Sequence, residues 1–195
     1  MKITALAKLA KETKLISMMD GERGQWVNVG TATYPMDGMP RMDEENILAV
    51  LGVPMEERSG YSVRRDAVNV LSPIMVDNLD DDQGADLLDM LLSVNGETLR
   101  PLYTPQGMVC IREAERKPIA DSAKTYTWHV RMMGQTPLIV VKNGFQLIAI
   151  LAPVKYWAQD NACEWLRDIA RYAAMLNNQQ HEQDPDDDRF SGMPM

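Results

Sequence analysis

The sequence is poor in the residues that most often carry chemistry. It contains two cysteines and two histidines in 195 residues. The cysteines, Cys110 and Cys163, are too few for a disulfide framework, which favours a reducing cytoplasm. No CxxC, HxxxH or HExxH spacing occurs, and His129 and His181 are far apart. The pattern therefore predicts neither a zinc site nor any other cofactor site.

Nucleophile and phosphate motifs are also scarce. If Cys110 and His129 lay on neighbouring strands, they would resemble a thiol dyad. A buried structural cysteine beside a hydrogen-bonded histidine is the more common arrangement. Neither GxGxxG nor GxxxxGK[ST] precedes a predicted helix, so no phosphate-binding loop is expected. We therefore predict a protein that is not an enzyme.

Long apolar runs are absent too. The best one is interrupted by Lys142-Asn143-Gly144 before it reaches the roughly 18 residues of a membrane span. The N-terminus, Met1-Lys2-Ile3-Thr4, lacks the long apolar core and the small-residue cleavage site of a signal peptide. We expect a cytoplasmic protein that makes no membrane contact.

Positive charge is missing from one long stretch. Positions 66 to 99 contain eight acids and no Lys or Arg. The whole chain has 28 acids and 20 bases, so the other 20 acids and the 20 bases cancel, and this stretch carries the entire net charge of −8. Such a chain does not suit binding to DNA phosphates, whereas a basic protein surface is its electrostatic match.

Six aspartates of this stretch are the candidate partner-binding residues: Asp77, Asp80, Asp81, Asp82, Asp86 and Asp89. A calcium loop is disfavoured, because Asp80, Asp82 and Gly84 would occupy positions 1, 3 and 5, whereas an EF-hand needs its Gly at position 6. Two explanations stay open. One is a solvated loop without a ligand, and the other is a surface that recognises Arg and Lys, in one version by mimicking nucleic-acid phosphates.

The clearest structural signal is a β-hairpin at 138–151. Asn143-Gly144 separates two runs rich in Ile, Val and Leu, and Asn-Gly is typical of a type I′ turn. The runs are nearly continuous rather than alternating, which predicts strands covered on both faces near the middle of a sheet. Pro137 and Pro153 are expected to bracket the hairpin, since proline cannot donate a hydrogen bond within a central strand.

Other segments complete an α+β fold. Asp43 is a suitable N-cap for a helix at 44–51, and Gly52 is placed to end that helix. An apolar stripe at helical spacing predicts an amphipathic helix from Asp160 to Leu176. The further predicted elements are a helix at 3–12, a hairpin at 15–29, a strand at 31–36, an acidic loop at 77–89 that leads into a strand, a three-stranded meander at 91–111 and a strand at 126–132.

Together these signals predict an antiparallel meandering sheet of about seven to nine strands, with a short N-terminal helix and a C-terminal amphipathic helix. We expect a single α+β domain over 1–177, followed by a disordered acidic tail over 178–195. Fifteen methionines are a high count. Core filling is one explanation, and loop methionines that grip a partner or a second copy of the chain are the other.

Several stretches together resemble a known group of proteins. They are 1–9, Gly24-Gln25-Trp26-Val27, Ala32-Thr33-Tyr34-Pro35, 99–108 and Val141-Lys142-Asn143-Gly144-Phe145. The pattern is similar to that of small acidic proteins encoded by phages and prophages of Gram-positive gut bacteria, some of which are type II anti-CRISPR proteins. The resemblance implies a non-enzymatic inhibitor that binds the basic surface of an RNA-guided nuclease or its guide-RNA complex. The alternative is a phage accessory or structural protein that self-associates or binds another host protein.

Overall fold

One β-sheet runs through the residues that the computed structural model describes, which are 1–21, 24–65, 82–119 and 126–154. They belong to a unit that spans Met1–Val154. The predicted helix from Asp160 to Leu176 and the predicted tail at 178–195 lie outside the described residues. The same holds for Asp77, Asp80 and Asp81.

Eleven strands and four short helical segments make up the described part of the chain. The helices are α1 (Ile3–Thr13), α2 (Glu44–Val50) and α3 (Glu113–Arg116), with a 3₁₀ helix at Met55–Gly60. The strands are β1 (Leu15–Gly21), β2 (Gly24–Val29), β3 (Ala32–Pro35), β4 (Ser62–Arg65), β5 (Gln83–Leu87), β6 (Leu92–Val94), β7 (Glu97–Thr104), β8 (Gly107–Arg112), β9 (Thr127–Met133), β10 (Thr136–Asn143) and β11 (Gln146–Leu151).

The strand order is β4-β1-β2-β3-β11-β10-β9-β5-β7-β6, with β8 paired to the other edge of β7. All pairs are antiparallel except β1 with β4. The α+β class agrees with the prediction. The sheet is mixed rather than purely antiparallel, its order contains crossovers such as β3 beside β11, and eleven strands exceed the seven to nine expected. The surplus comes from the short strands β4 and β5: no strand was predicted at β4, and β5 falls within the predicted acidic loop.

The hairpin of β10 and β11 lies in the middle of the sheet, as predicted. Ile139 and Val141 are buried in the main core, whereas Val140 and Ile150 are buried in a smaller apolar cluster. Pairs such as Val140 with Ile150 show that successive side chains alternate between the two clusters. Burial on both faces explains why the sequence of these strands is continuously apolar.

Two details of this hairpin differ from the prediction. Pro137 does not precede the hairpin but lies within β10, opposite Met132 of β9. The turn is centred on Gly144 and Phe145, because Asn143 pairs with Gln146. Of these residues Gly144 alone has positive φ, at 57°, as in turns that need glycine at the first central position. The turn therefore lies one residue further along the chain than predicted, and the pairing also has a register shift between Val141 and Lys142.

The predicted Asn95-Gly96 turn and the predicted cap and end of α2 are confirmed. Asn95 and Gly96 have φ of 51° and 81°, which fits a type I′ turn between β6 and β7. The Asp43 side chain accepts a hydrogen bond of 2.8 Å from the Asn46 amide and caps α2. Gly52, with φ of 67°, follows that helix. Capping and turn formation involve residues close in sequence, so the local pattern suffices to predict them.

The predicted acidic loop is partly a strand. β5 begins at Gln83 and includes Asp86. Its first half pairs with β9 and its second half with β7, so β5 connects the seven-stranded part of the sheet that ends at β9 to the meander of β6, β7 and β8. The described part of the acidic segment is therefore a joining strand, which fixes the position of the neighbouring Asp82.

Candidate functional site

Asp82 lies inside the protein and is neutralised by two basic side chains. Its side chain is 1% exposed, and its carboxylate forms two hydrogen bonds of 2.6 Å with Arg131. The Lys142 ammonium is 2.8 Å from the same carboxylate. The register that pairs Gln83 with Val130 places Asp82 beside Arg131. A carboxylate held in this way is not available to a partner protein. We therefore remove Asp82 from the six aspartates predicted to bind a partner.

The charges around Asp82 determine its protonation. Burial by itself would raise the pKa of Asp82, but the hydrogen bonds and charges of Arg131 and Lys142 outweigh burial and hold this pKa below its usual value. His129, on the same face of β9 as Arg131, has a lowered pKa because of burial and the nearby Lys142. The cluster is therefore a buried ion-pair network that joins β5, β9 and β10.

The two other described aspartates of the acidic segment lie at the surface. Asp86 is exposed on β5, opposite Tyr103 of β7. Asp89 follows β5, and its fully exposed side chain lies 3.5 Å from Arg100. These two remain candidates for contact with a partner, together with the predicted residues outside the described ranges.

The hypothetical thiol dyad does not form. Cys110 is on β8, whereas His129 is on β9, and β7 and β5 separate these strands. Cys110 is completely buried, and burial raises the pKa of its thiol to about 12. A thiol with this pKa is almost entirely protonated at neutral pH and is a poor nucleophile.

Glu115 is a second buried carboxylate, with a different set of partners. Its side chain is 2% exposed, at the end of β8 and the start of α3. Oε1 accepts hydrogen bonds from the amide and the hydroxyl of Thr31, at 3.0 and 2.6 Å. Arg112 donates to the Thr31 hydroxyl at 3.1 Å and lies 3.6 Å from the same Oε1. Oε2 is buried and accepts no hydrogen bond within the described part of the chain.

The surroundings of Glu115 favour its protonated form. Burial raises its pKa, and the hydrogen bonds from Thr31 and the charge of Arg112 offset this only in part. Gly30 makes the close packing possible, because a β-carbon there would lie 3.1 Å from Oε1, and its φ of 67° disfavours other residues. The Tyr34 hydroxyl donates to the backbone carbonyl of Glu115 at 2.5 Å and anchors α3 to β3.

A cleft of about 840 Å³ opens beside Glu115. It lies between α1, the β2–β3 turn, the β6–β7 turn and the junction of β8 with α3. Its lining includes Leu9, Glu12, Thr31, Leu91, Glu97, Thr98, Arg112, Glu113, Glu115 and Lys117. Arg116 and Arg100 both donate hydrogen bonds to the Glu113 carboxylate. Burial by itself would raise the pKa of Glu113, but these two cations outweigh burial and hold that pKa below its usual value.

A second concave surface lies between α2, the 3₁₀ helix and β4. This groove, of about 420 Å³, is lined by Glu44, Glu45, Leu48, Met55, Arg58, Tyr61, Ser62 and Val63. Five acids and no base occur from Asp43 to Glu57. Within the described ranges, none of the four glutamates there forms an ion pair. Met55 is 73% exposed beside them, so apolar and acidic groups adjoin one another at the surface.

Sequence reasoning missed Glu115, Arg131 and Lys142. A usable signal existed for Lys142 and Arg131, because each is a charged residue in a segment predicted to be a strand, and such residues are rarely buried without an ion partner. No comparable signal existed for Glu115, whose partner Thr31 is 84 residues away.

A scan against protein-family models and searches of curated proteins and of solved structures found no match to this chain. The described residues contain no group of three or more His, Cys, Asp or Glu side chains placed to hold a metal ion. None of the described helices is both long enough and apolar enough to cross a membrane.

Proposed function

We infer that this protein acts by binding a basic partner protein and performs no chemistry of its own. The observation that carries this inference is the acidic groove between α2, the 3₁₀ helix and β4. Its lining contains Glu44 and Glu45, which form no ion pair among the described residues, next to the exposed Met55, and Arg58 is the one base in that lining. Basic side chains with long apolar stems, Lys and Arg, match such a surface in both charge and apolar contact.

The groove has the features of a protein contact more than those of a small-molecule site. Its lining is open and partly apolar, and Met55 and Val50 are large exposed apolar residues. An adaptable methionine beside charged side chains is typical of surfaces that bind other proteins. The negative rim would also speed association with a basic partner at low salt.

The proposed partner is the RNA-guided nuclease of a type II CRISPR system, alone or with its guide RNA. What supports this partner is the resemblance to anti-CRISPR proteins and the match between an acidic groove and the basic channels of such nucleases. In this proposal the protein inhibits the nuclease by occupying a basic surface that nucleic acid would otherwise use.

The test uses two variants that remove equal charge from different surfaces. Glu44→Gln with Glu45→Gln neutralises the groove, and Asp86→Asn with Asp89→Asn neutralises the exposed end of the acidic segment. We expect the full chain to co-elute with a purified type II nuclease and to inhibit DNA cleavage. The groove variant should weaken inhibition by about tenfold or more at low salt, since rim charges govern association. Absence of binding by the full chain would refute the nuclease as partner.

A basic peptide of alternating Lys and Leu tests the proposed binding surface independently of the proposed nuclease partner. Fluorescence anisotropy should show that this peptide binds the full chain and that the groove variant binds it more weakly. If the aspartate variant loses peptide binding and the groove variant retains it, the contact surface is the acidic segment and the proposed groove is wrong.

A further inference from the structure

Glu115 lines the larger cleft, and one of its carboxylate oxygens lacks a hydrogen-bond donor among the described residues. A carboxylate can accept about four hydrogen bonds through its two oxygens. Oε1 receives both Thr31 donors, whereas Oε2 is buried with no donor from the described residues. A buried acceptor without a partner costs free energy, so the fold retains an unfavourable feature at this position.

The other charged groups of the cleft do not remove this deficit. Arg112 is engaged by Glu97, by Thr31 and at longer range by Oε1 of Glu115. The Glu113 carboxylate is bound by Arg100 and Arg116. Four glutamates and two basic residues line the cleft, so its charge does not favour an anion. The two bases of the lining are Arg112 and Lys117, and within the described residues neither donates a hydrogen bond to Oε2 of Glu115. What Oε2 lacks is therefore a hydrogen-bond donor.

Apolar side chains in the cleft favour a ligand that also has an apolar part. Leu9 and Leu91 line the same cleft as Glu115, and Leu91 is 52% exposed. A donor head with an alkyl stem would place the stem along these side chains and the head at the carboxylate. A guanidinium carries several N–H donors on one planar head, so one of them can donate to Oε2 while Oε1 keeps its two Thr31 donors.

We propose that this cleft binds a ligand with an alkylguanidinium group, which Glu115 recognises through its second carboxylate oxygen. The terminal torsion of a glutamate side chain is soft, so the carboxyl group can turn toward the cleft without backbone movement. The alkylguanidinium belongs either to a free small molecule or to an arginine side chain of a protein. This site is separate from the acidic groove, and neither proposal depends on the other.

The test is an NMR titration of the isotopically labelled full chain. The probes are agmatine, a free alkylguanidinium, and the peptide Gly-Gly-Arg-Gly-Gly, which carries the same group as a side chain. The Thr31 amide is the reporter, because it donates to Glu115 at 3.0 Å. We expect saturable shifts of Thr31 and Gly96 with a dissociation constant in the range of about 1 mM or tighter. Preference for agmatine indicates a small-molecule ligand, and preference for the peptide indicates an arginine side chain.

Three variants and one control probe test the assignment. Glu115→Gln should weaken binding by at least about tenfold, because the charge-assisted hydrogen bonds are lost. Asp37→Asn removes an exposed carboxylate that lies in neither lining and should leave binding unchanged. If Glu115→Gln fails to fold, Thr98→Arg keeps the carboxylate and supplies a competing guanidinium at the cleft, with the same expected loss. Butanol tests the apolar stem alone. The proposal fails if neither probe shifts Thr31 at about 20 mM, if butanol gives equal shifts, or if the folded variants bind as tightly as the parent.

Discussion

Two buried carboxylates in this protein have opposite electrostatic environments. The side chains of Asp82 and Glu115 are 1% and 2% exposed. Asp82 has a guanidinium and an ammonium within 2.8 Å and a lowered pKa. Glu115 has mainly neutral donors, one oxygen without a donor among the described residues, and a raised pKa. Burial alone disfavours both anions, so the partners determine the direction of each shift. Asp82 is therefore part of a structural ion-pair network, whereas Glu115 lies beside a cleft with incomplete hydrogen bonding among the described residues.

The largest expected effect comes from removing the Asp82 charge. Asp82→Asn keeps the shape of the side chain but leaves Arg131 and Lys142 with one fewer anion in a buried position. We expect the free energy of unfolding to fall by about 3 kcal/mol, as when one member of a buried ion pair is removed. Denaturant unfolding followed by circular dichroism measures this loss. A loss below about 1 kcal/mol would mean that the network contributes little to stability.

The two carboxylates should also produce opposite pH dependences. The pKa of Asp82 is lowered by folding, so its contribution to stability is present above the unfolded value of about 3.9 and is lost as the pH falls through the folded pKa. The pKa of Glu115 is raised, so its contribution is present below about 4.3 and is lost as the pH rises through the folded pKa.

Matched amide variants test these signs. Between about pH 3 and 7, the stability advantage of the parent over Asp82→Asn should grow with pH, and its advantage over Glu115→Gln should shrink. Unfolding free energies at several pH values give both differences. If both stability differences change with pH in the same direction, the pKa values of Asp82 and Glu115 are not shifted in opposite directions.

A smaller effect is expected at Thr31. Thr31→Val removes the hydroxyl that donates to Oε1 of Glu115 at 2.6 Å but keeps the amide donor. The free energy of unfolding should fall by about 1 kcal/mol, the usual value of one hydrogen bond. The pKa of Glu115 should rise further, because a hydrogen bond to the charged form is lost. Carboxyl NMR titration measures that pKa. An unchanged pKa would show that the Thr31 hydroxyl does not stabilise the charged form of Glu115.

The smallest effect is expected at Asp89. Its side chain is fully exposed, and Arg100, its nearest cation, also binds Glu113 at 2.9 Å. Asp89→Asn should therefore leave the denaturation midpoint unchanged, in contrast to Asp82→Asn. A measurable loss would show that Asp89 also has a structural role.

Sequence reasoning treated Asp82, Asp86 and Asp89 as one acidic surface, and the structure separates them. Adjacent acids look alike in a sequence, since charge counting carries no information about direction. β5 begins at Gln83 and pairs with β9, and this pairing places Asp82 beside Arg131 while Asp86 remains exposed. The acidic groove was missed for a related reason. Its two carboxylates come from α2, and the charge sum over the whole chain cancels them against bases elsewhere in the sequence.

By itself, the sequence determined the elements whose causes are local. The Asp43 cap, the Asn95-Gly96 turn and the apolar hairpin strands depend on residues within a few positions of one another. Tertiary structure alone decided which charges meet. Asp82 and Arg131 are 49 residues apart, and Thr31 and Glu115 are 84 apart. Strand order and register bring such residues together, and both depend on packing of the whole sheet, which no short stretch of sequence encodes.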